Sequence, residues 1–285
     1  MNGLTVDVEE YYHANGLNLP INTWNRFESR VVESTQRLLE CFDRYQLKAT
    51  FFIVGCVARD HPELVKEIVS LGHEIGSHSG WHRLLTEINE IEFREDVRTV
   101  KQLLEDISGQ EVYQYRAPSW SLVNSRYGWL RLLADEGYRI DSSIQPCQTK
   151  LGGVRNAPSR PFYPIIEGEK LPIIEFPATV WSWGPLRVPC GGGFYLRFFP
   201  WVMTAWLLSK INQSRPGMMY IHPWEMDPEQ PRIDAAFLYR FAQYNQLHRT
   251  ERKLNEILSR FSFLPLGQLT EELEDNLQIP VIQIQ

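Results

Sequence analysis

The sequence predicts an α/β fold in which a parallel sheet closes, or nearly closes, into a barrel, with an irregular insertion and a C-terminal helical extension. Two observations carry this expectation. Short apolar runs alternate with stretches of helical period at least five times before residue 145, the pattern of consecutive βαβ units. Past that point the alternation stops and a segment rich in Pro, Gly and Trp takes over. So many units in so short a stretch favour a barrel over a doubly wound open sheet, which is the alternative.

Residues 4–8 read as the first strand. Residues 30–45 place Val31, Leu38, Leu39 and Phe42 on one helical face. Residues 49–54 form a continuous apolar run ending at Gly55, as a buried parallel strand does. Pro62 opens the next helix, Leu64, Val65, Ile68 and Val69 form its face, and Gly72 stops it. A short strand is expected at 73–77, a charged amphipathic helix at 91–107 and a strand at 113–117. A helix follows at 127–136, ended by Gly137, and a strand at 138–143.

Residues 145–215 read as an elaboration within a single domain covering 1–285. This stretch holds one strand-like run at 171–176, then Gly191-Gly192-Gly193 and a Phe- and Trp-rich helix at 198–212. The strand pattern resumes at 218–221. One long helix is expected at 235–261, inside an extension covering 234–285.

A hydrophobic content of 43% and a charged content of 22% are ordinary for a globular chain of 285 residues. The net charge of -6, with no basic run, argues against nucleic acid as a partner. Cys41, Cys56, Cys147 and Cys190 form no C-x-x-C pair, so a thiolate zinc site is not expected and Cys190 reads as packing. The longest apolar candidate, 198–208, is about half of the roughly 20 residues a membrane span needs. With no leader pattern at the N-terminus, a soluble, cytoplasmic chain is expected.

Four separated segments hold parts for metal-assisted hydrolysis. On a strand, Asp7 and Glu9 face one side while Val6 and Val8 face the other. They lie at the C-terminal end of that strand, where α/β barrels carry their chemistry, although two acids beside Glu10 would also suit a solvated strand end. His78 and His82 are spaced i, i+4, which on a helical turn brings two imidazoles to one metal; two unrelated surface histidines are the alternative. His73 reads as packing or surface. Two histidines and one carboxylate make a common hydrolytic zinc set, leaving Asp7 free as a base. Arg116 ends a strand and can pair with a carboxylate, as a catalytic positioner or as a plain salt bridge at the barrel end. His222 follows an apolar strand. It suits either a packed histidine or a general acid held by a carboxylate, for which Asp141 and Glu175 are the candidates.

Together these segments resemble the polysaccharide deacetylases of the NodB-homology type, carbohydrate esterase family 4. Thr5-Val6-Asp7-Val8-Glu9 is similar to the first motif, in a D-x-E form where D-D is commoner. His78-Ser79-Gly80-Trp81-His82 is similar to the H-S/T-x-x-H motif, and Arg116-Ala117-Pro118-Ser119-Trp120 to R-x-P-x-aromatic. Ala49-Thr50-Phe51-Phe52 is similar to the second strand, and Tyr220-Ile221-His222 to the closing histidine motif. Asp7–His13, Tyr138–Ser143, Gly191–Gly193 and His222–Pro228 further resemble the cytoplasmic, exosortase-associated deacetylases of exopolysaccharide loci, which carry a C-terminal extension.

The resemblance implies a distorted (β/α)7-type barrel and removal of N-acetyl groups from hexosamine units of a polymer or oligomer. It implies Asp7 as general base, Glu9, His78 and His82 as ligands of a divalent ion, usually zinc, Arg116 as the group orienting Asp7, and His222 as the acid. Pro118 and Trp120 would meet the substrate, with a backbone N–H there facing the oxyanion. The usual aspartate–tryptophan motif is not found, so the partner of His222 stays open between Asp141 and Glu175. Two other readings remain: a metal-independent hydrolase of cyclic ureides like the allantoinases, which lack a full ligand set, and a non-catalytic carbohydrate-binding scaffold using some of the nine tryptophans.

Overall fold

Alternation along the first strands sets the layers of the molecule. The computed structural model describes residues 1–285. In β1 (Asn2–Val8), Leu4, Val6 and Val8 pack in the large outer core beside Leu38 and Phe42 of α1 (Val31–Arg44). In β2 (Thr50–Ile53), Phe51 and Ile53 join that core, while Phe52 belongs to a second cluster with Ile140, Phe176 and Met218. Apolar residues on one face of each strand therefore hold the helices, and those on the other fill the barrel.

The βαβ series continues with α2 (Gly55–Asp60), α3 (Pro62–Ser70), β3 (Glu74–Ser77), α4 (Glu90–Ser108), β4 (Gln114–Tyr115), α5 (Trp129–Asp135) and β5 (Ile140–Asp141). Helix α4 starts at a capping box between Asn89 and Glu92 and stops at Gly109, which takes the left-handed φ of 69°. After β5 come β6 (Tyr163–Ile166), β7 (Glu169–Lys170) and β8 (Ile174–Glu175), then a hairpin of β9 (Val180–Trp183) and β10 (Leu186–Pro189). Next are α6 (Phe194–Phe198), α7 (Trp201–Ile211) and β11 (Met218–Ile221). The chain ends with α8 (Phe237–Tyr244), α9 (Thr250–Leu258), β12 (Phe263–Leu264), α10 (Leu266–Asp275) and β13 (Val281–Gln283).

The main sheet runs β11-β1-β2-β3-β4-β5-β8 with every pair parallel, and β12 pairs with the start of β1. These strands curl into an incomplete barrel, the nearly closed form the sequence predicts. No ladder joins β8 to β11. Residues 178–193 span the gap: the Ala178 N–H donates to Ile144 O at 2.9 Å, and the Tyr220 N–H donates to Gly191 O at 2.7 Å. Gly192 has φ of 137°, and a Cβ there would stand 1.8 Å from Tyr220 O. Only glycine permits this close approach, so the triple-glycine run is the seam of the barrel.

Several expected elements differ. The helix expected over 198–212 is broken at Pro200, whose missing N–H and fixed φ separate α6 from α7. The single helix expected over 235–261 is two, because Asn245 is extended and Gln246 takes a left-handed φ of 52°. The extension is also not purely helical, since β12 joins the barrel sheet and β13 pairs with β6. Strand β8, inside the stretch read as an elaboration, is itself part of the barrel sheet. Helix α2, which holds Cys56, was not expected.

Candidate metal centre and active site

The C-terminal ends of β1, β3, β4 and β11 converge on one cavity of about 300 Å³. Asp7 is the penultimate residue of β1, and Glu9 follows its end. Arg116, just past β4, donates from Nη1 to Asp7 Oδ1 at 2.5 Å and to Thr5 Oγ1 at 2.9 Å. Its remaining N–H groups reach Ser142 O and Ser142 Oγ, and its guanidinium lies 4.1 Å from the centre of the Phe52 ring. Arg116 and Asp7 are both buried. A buried charge persists only when paired and fully hydrogen-bonded, and this network meets that requirement while fixing one carboxylate oxygen of Asp7.

Residues 78–82 do not form the helical turn expected from their spacing. Ser79 and His82 have φ of 60° and 50°, and the segment is an irregular loop after β3. Its carbonyls at Ser79 and Gly80 accept from the N–H groups of Gly55 and Cys56, which open α2. The Gly80 N–H donates to both oxygens of Asp96 on α4, at 2.9 and 3.1 Å. This folding, not a helix, brings the His78 and His82 rings to 5.0 Å between centroids.

His78 Nδ1 lies 2.8 Å from Arg116 O, and His82 Nδ1 lies 3.0 Å from His13 O. A carbonyl only accepts, so each Nδ1 carries the hydrogen, which leaves Nε2 as the atom that each ring can offer to a metal. Burial holds the pKa of His78 down at about 4, which keeps it neutral at pH 7. His82 Nε2 stands 2.6 Å from Glu9 Oε2, and that oxygen has no hydrogen-bond partner. A bound cation would satisfy both atoms. Ligand atoms of Glu9, His78 and His82 all lie within 4.8 Å of one another. The residues thus fit a divalent metal in a two-histidine, one-carboxylate set.

His222, just past β11, lies opposite. Its Nε2 is 3.9 Å from Asp7 Oδ2 and 3.8 Å from Glu9 Oε1. Its Nδ1 is 2.7 Å from Glu225 Oε1, so neither Asp141 nor Glu175 is its partner. Glu225 in turn accepts from Arg197 Nε at 2.6 Å, and the other N–H groups of Arg197 donate to the carbonyls of Ala242, Gln243 and Asn245. Burial pushes the His222 pKa down, but the Glu225 hydrogen bond and the charges of Glu9, Glu225 and Asp7 carry it up to about 9. Trp224 stacks on His222 and donates from Nε1 to Glu9 Oε1 at 2.9 Å.

Asp141 pairs across the sheet with Glu175 and accepts from Ser143 Oγ at 2.5 Å, away from the cavity lining. Burial raises the pKa of both carboxyls, and the charge of Asp141 raises Glu175 further. Ser143 Oγ also accepts from the Ala117 N–H, so Asp141 braces the loop after β4. Trp120 lines the cavity, but Pro118 is buried and does not. The Trp120 amide is committed to Ala117 O, whereas the Ser119 amide, on a residue lining the cavity, donates to nothing.

Sequence reasoning missed Glu225, Arg197, Trp224 and the His13 carbonyl. A signal existed for Glu225: His222 and Glu225 at i, i+3 around Pro223 are spaced as a capping box, and the structure forms one. Nothing local marks Arg197.

A parallel barrel with a buried two-histidine, one-carboxylate site at its strand ends defines a class of metal-site α/β barrels. Comparison with known proteins narrows it. Residues 23–139 match the polysaccharide deacetylase family model, and residues 142–271 match a domain of unknown function, DUF3473. A peptidoglycan-N-acetylglucosamine deacetylase of Bacillus cereus is 31% identical over 98 residues, 34% of this chain and 36% of that protein. A peptidoglycan deacetylase of Helicobacter pylori is 28% identical over 157 residues, 50% of this chain and 52% of that protein. These alignments thus span about a third to a half of the relatives' lengths. The crystal structure of a putative polysaccharide deacetylase from Mycobacterium smegmatis superposes with a TM-score of 0.66 at 18% identity, covering 99% of this chain and 93% of that one, which shows a shared fold. Residues 23–139 therefore carry the polysaccharide deacetylase domain, and the DUF3473 match follows directly after it.

Proposed function

We propose that this chain hydrolyses the N-acetyl groups of amino sugars in a poly- or oligosaccharide, with zinc as its metal. One observation carries the reading: the ligand atoms of Glu9, His78 and His82 gather within 4.8 Å, between an arginine-paired Asp7 and a glutamate-paired His222. The names of the Bacillus and Helicobacter relatives support the substrate class.

Glu9, His78 and His82 would hold the ion, which when bound polarises an amide carbonyl and acidifies a water beside it. Asp7 Oδ2, the oxygen not held by Arg116 Nη1, takes the proton of the attacking water. As the water oxygen bonds to the acyl carbon, the free Ser119 amide is the protein donor available to the developing oxyanion. The C–N bond then breaks, His222 Nε2 gives its proton to the departing amine, and acetate is left. Trp120 and Tyr220, in edge-to-face contact, form the apolar wall of the site. Residues 1–285 act as one unit in this scheme, because Arg197 and the carbonyls at 242–245 support the acid. All four cysteines are unpaired, which suits a reducing compartment such as the cytoplasm.

The test is acetate release from a panel of acetylated amino-sugar oligomers with added zinc or with EDTA. Zinc-dependent release from at least one oligomer is expected. No release from any member, in zinc-loaded and folded protein, would refute the proposal.

A further inference from the structure

Helix α8 is inside out. Its one buried residue is Gln243, while Phe237 and Leu238 are 78% and 63% exposed and Phe241 is also open to solvent. The neighbouring α7 buries Thr204, Leu207, Leu208 and Ile211, yet carries an outer stripe of Val202, Met203 and Trp206 that is exposed as well. Lys210 ends that stripe one turn beyond Trp206.

Phe199, 5.4 Å from Phe198 between ring centres and packed with Trp181 around Cys190 and Leu207, links these surfaces. Phe198 of α6 lies 6.4 Å from Phe241, ring centre to ring centre, and Trp206 lies 5.6 Å from Trp181 on the β9–β10 hairpin, whose tip exposes Trp183 and Leu186. Nine of the 16 exposed large hydrophobics of the chain lie on these elements, a concentration that scattered surface apolars do not show. Phe194, stacked on Phe198, and Tyr239 of α8 also line the cavity, so the patch borders the mouth of the site.

Charge follows the same boundary. The chain holds 35 acidic residues and a net charge of -6, but none of the acids falls in 176–224 or in 235–250. Of the cations in those stretches, Arg197 is buried on Glu225 and Arg187 and Arg215 donate to backbone carbonyls, which leaves Lys210, Arg240 and Arg249 for the face. Lys210 and Arg249 are exposed and form no ion pair, while Arg240 meets only the exposed Asp234.

We propose that this face docks on an anionic lipid bilayer, with the aromatic and aliphatic side chains of α6, α7, α8 and the hairpin in the interface and the cations at the headgroups. Trp and Phe beside Lys and Arg suit that boundary. No helix is long and apolar enough to cross a membrane, so the chain would lie on the surface. A second copy of the chain fits less well: an isologous pairing on this face would set Lys210, Arg240 and Arg249 against a surface of their own sign. The inference does not depend on the proposed activity, because its readout is binding alone.

The test is co-sedimentation of the full chain with vesicles of phosphatidylcholine alone and of phosphatidylcholine mixed with phosphatidylglycerol. Binding to the mixed vesicles, weakened by salt, is expected. Phe237→Ser with Leu238→Ser alters two side chains that support no core, and should weaken that binding about tenfold or more at unchanged thermal stability. Lys210→Glu with Arg249→Glu should abolish the preference for the anionic lipid. Failure of the wild-type chain to bind the mixed vesicles overturns the proposal, as does equal binding by the serine variant. A dimer in solution that the serine variant converts to monomer, without vesicle binding, assigns the face to self-association instead.

Discussion

Glu225 Oε1 lies 2.7 Å from His222 Nδ1, three residues along the same turn and not across the barrel. The other oxygen of Glu225 is held by the fully buried Arg197, which is tied to the C-terminal end of α8 through three carbonyls. The candidate acid at the end of β11 is therefore oriented from the region after the barrel's fifth strand. This gives the DUF3473 region a physical role in the site: it supplies the carboxylate that orients the His222 ring and favours its imidazolium, and the arginine that fixes the carboxylate.

Glu225→Gln keeps an acceptor at His222 Nδ1 but removes the charge that favours the imidazolium. Acetate release should fall about 10- to 100-fold, the usual cost of losing such a partner, with metal content unchanged. The alkaline limb of the rate profile should move to lower pH, because an acid with a lowered pKa loses its proton sooner. A limb that stays in place would assign Glu225 a purely structural role.

Metal binding and proton transfer should separate by mutation. His78→Ala removes one of three ligands and should abolish metal binding, measured by elemental analysis of the purified chain. Asp7→Asn leaves Glu9, His78 and His82 intact; it should retain the metal while acetate release drops about 10²- to 10⁴-fold, the range for a general base. Metal retained by His78→Ala, or activity retained by Asp7→Asn, would reverse the corresponding assignment.

How far the site was legible depended on the range of each interaction. The facing of Asp7 and Glu9 follows from strand alternation and needs no tertiary knowledge. The spacing of His78 and His82 suggested proximity for the wrong reason: their approach depends on Asp96 and the start of α2, which are remote in sequence. Strands β4 and β5 were recognisable as strands, but each is paired over only two residues, a length set by the curl of the barrel and not by composition. Strand alternation points to Asp141 and Glu175 as partners of His222, whereas the partner sits in the next turn at the i, i+3 spacing of a cap. Arg197 was out of reach because its acceptors are main-chain carbonyls, which every sequence has.

His73 should make stability depend on pH outside the site. Its Nδ1 accepts from the Ala49 N–H at 3.1 Å, and burial among Phe42 and Phe51 lowers its pKa from 6.5 to about 4. The folded form then takes up a proton less readily than the unfolded form. The contribution of this residue is intact above pH 6.5 and is lost as pH falls towards about 4. His73→Asn can supply the same acceptor without titrating there. The decline in urea midpoint across that window should be shallower in the variant, and an unchanged decline would exclude His73 as a source.

Gly192 should be among the least replaceable residues of the chain, although it touches neither the metal ligands nor the acid. Its φ of 137° lies where side chains are strained, and the added Cβ of Gly192→Ala would meet Tyr220 O at 1.8 Å. The backbone of β11 would have to retreat, opening the seam of the barrel two residues before His222. A loss of more than about 3 kcal/mol in urea unfolding is expected, in the range of severe backbone strain. Gly184→Ala is the control: its φ of 56° is also left-handed, but nothing lies within 4 Å of the added atom. It should cost only about 1 kcal/mol. Equal losses in the two variants would mean that backbone conformation alone, and not the approach to β11, makes Gly192 necessary.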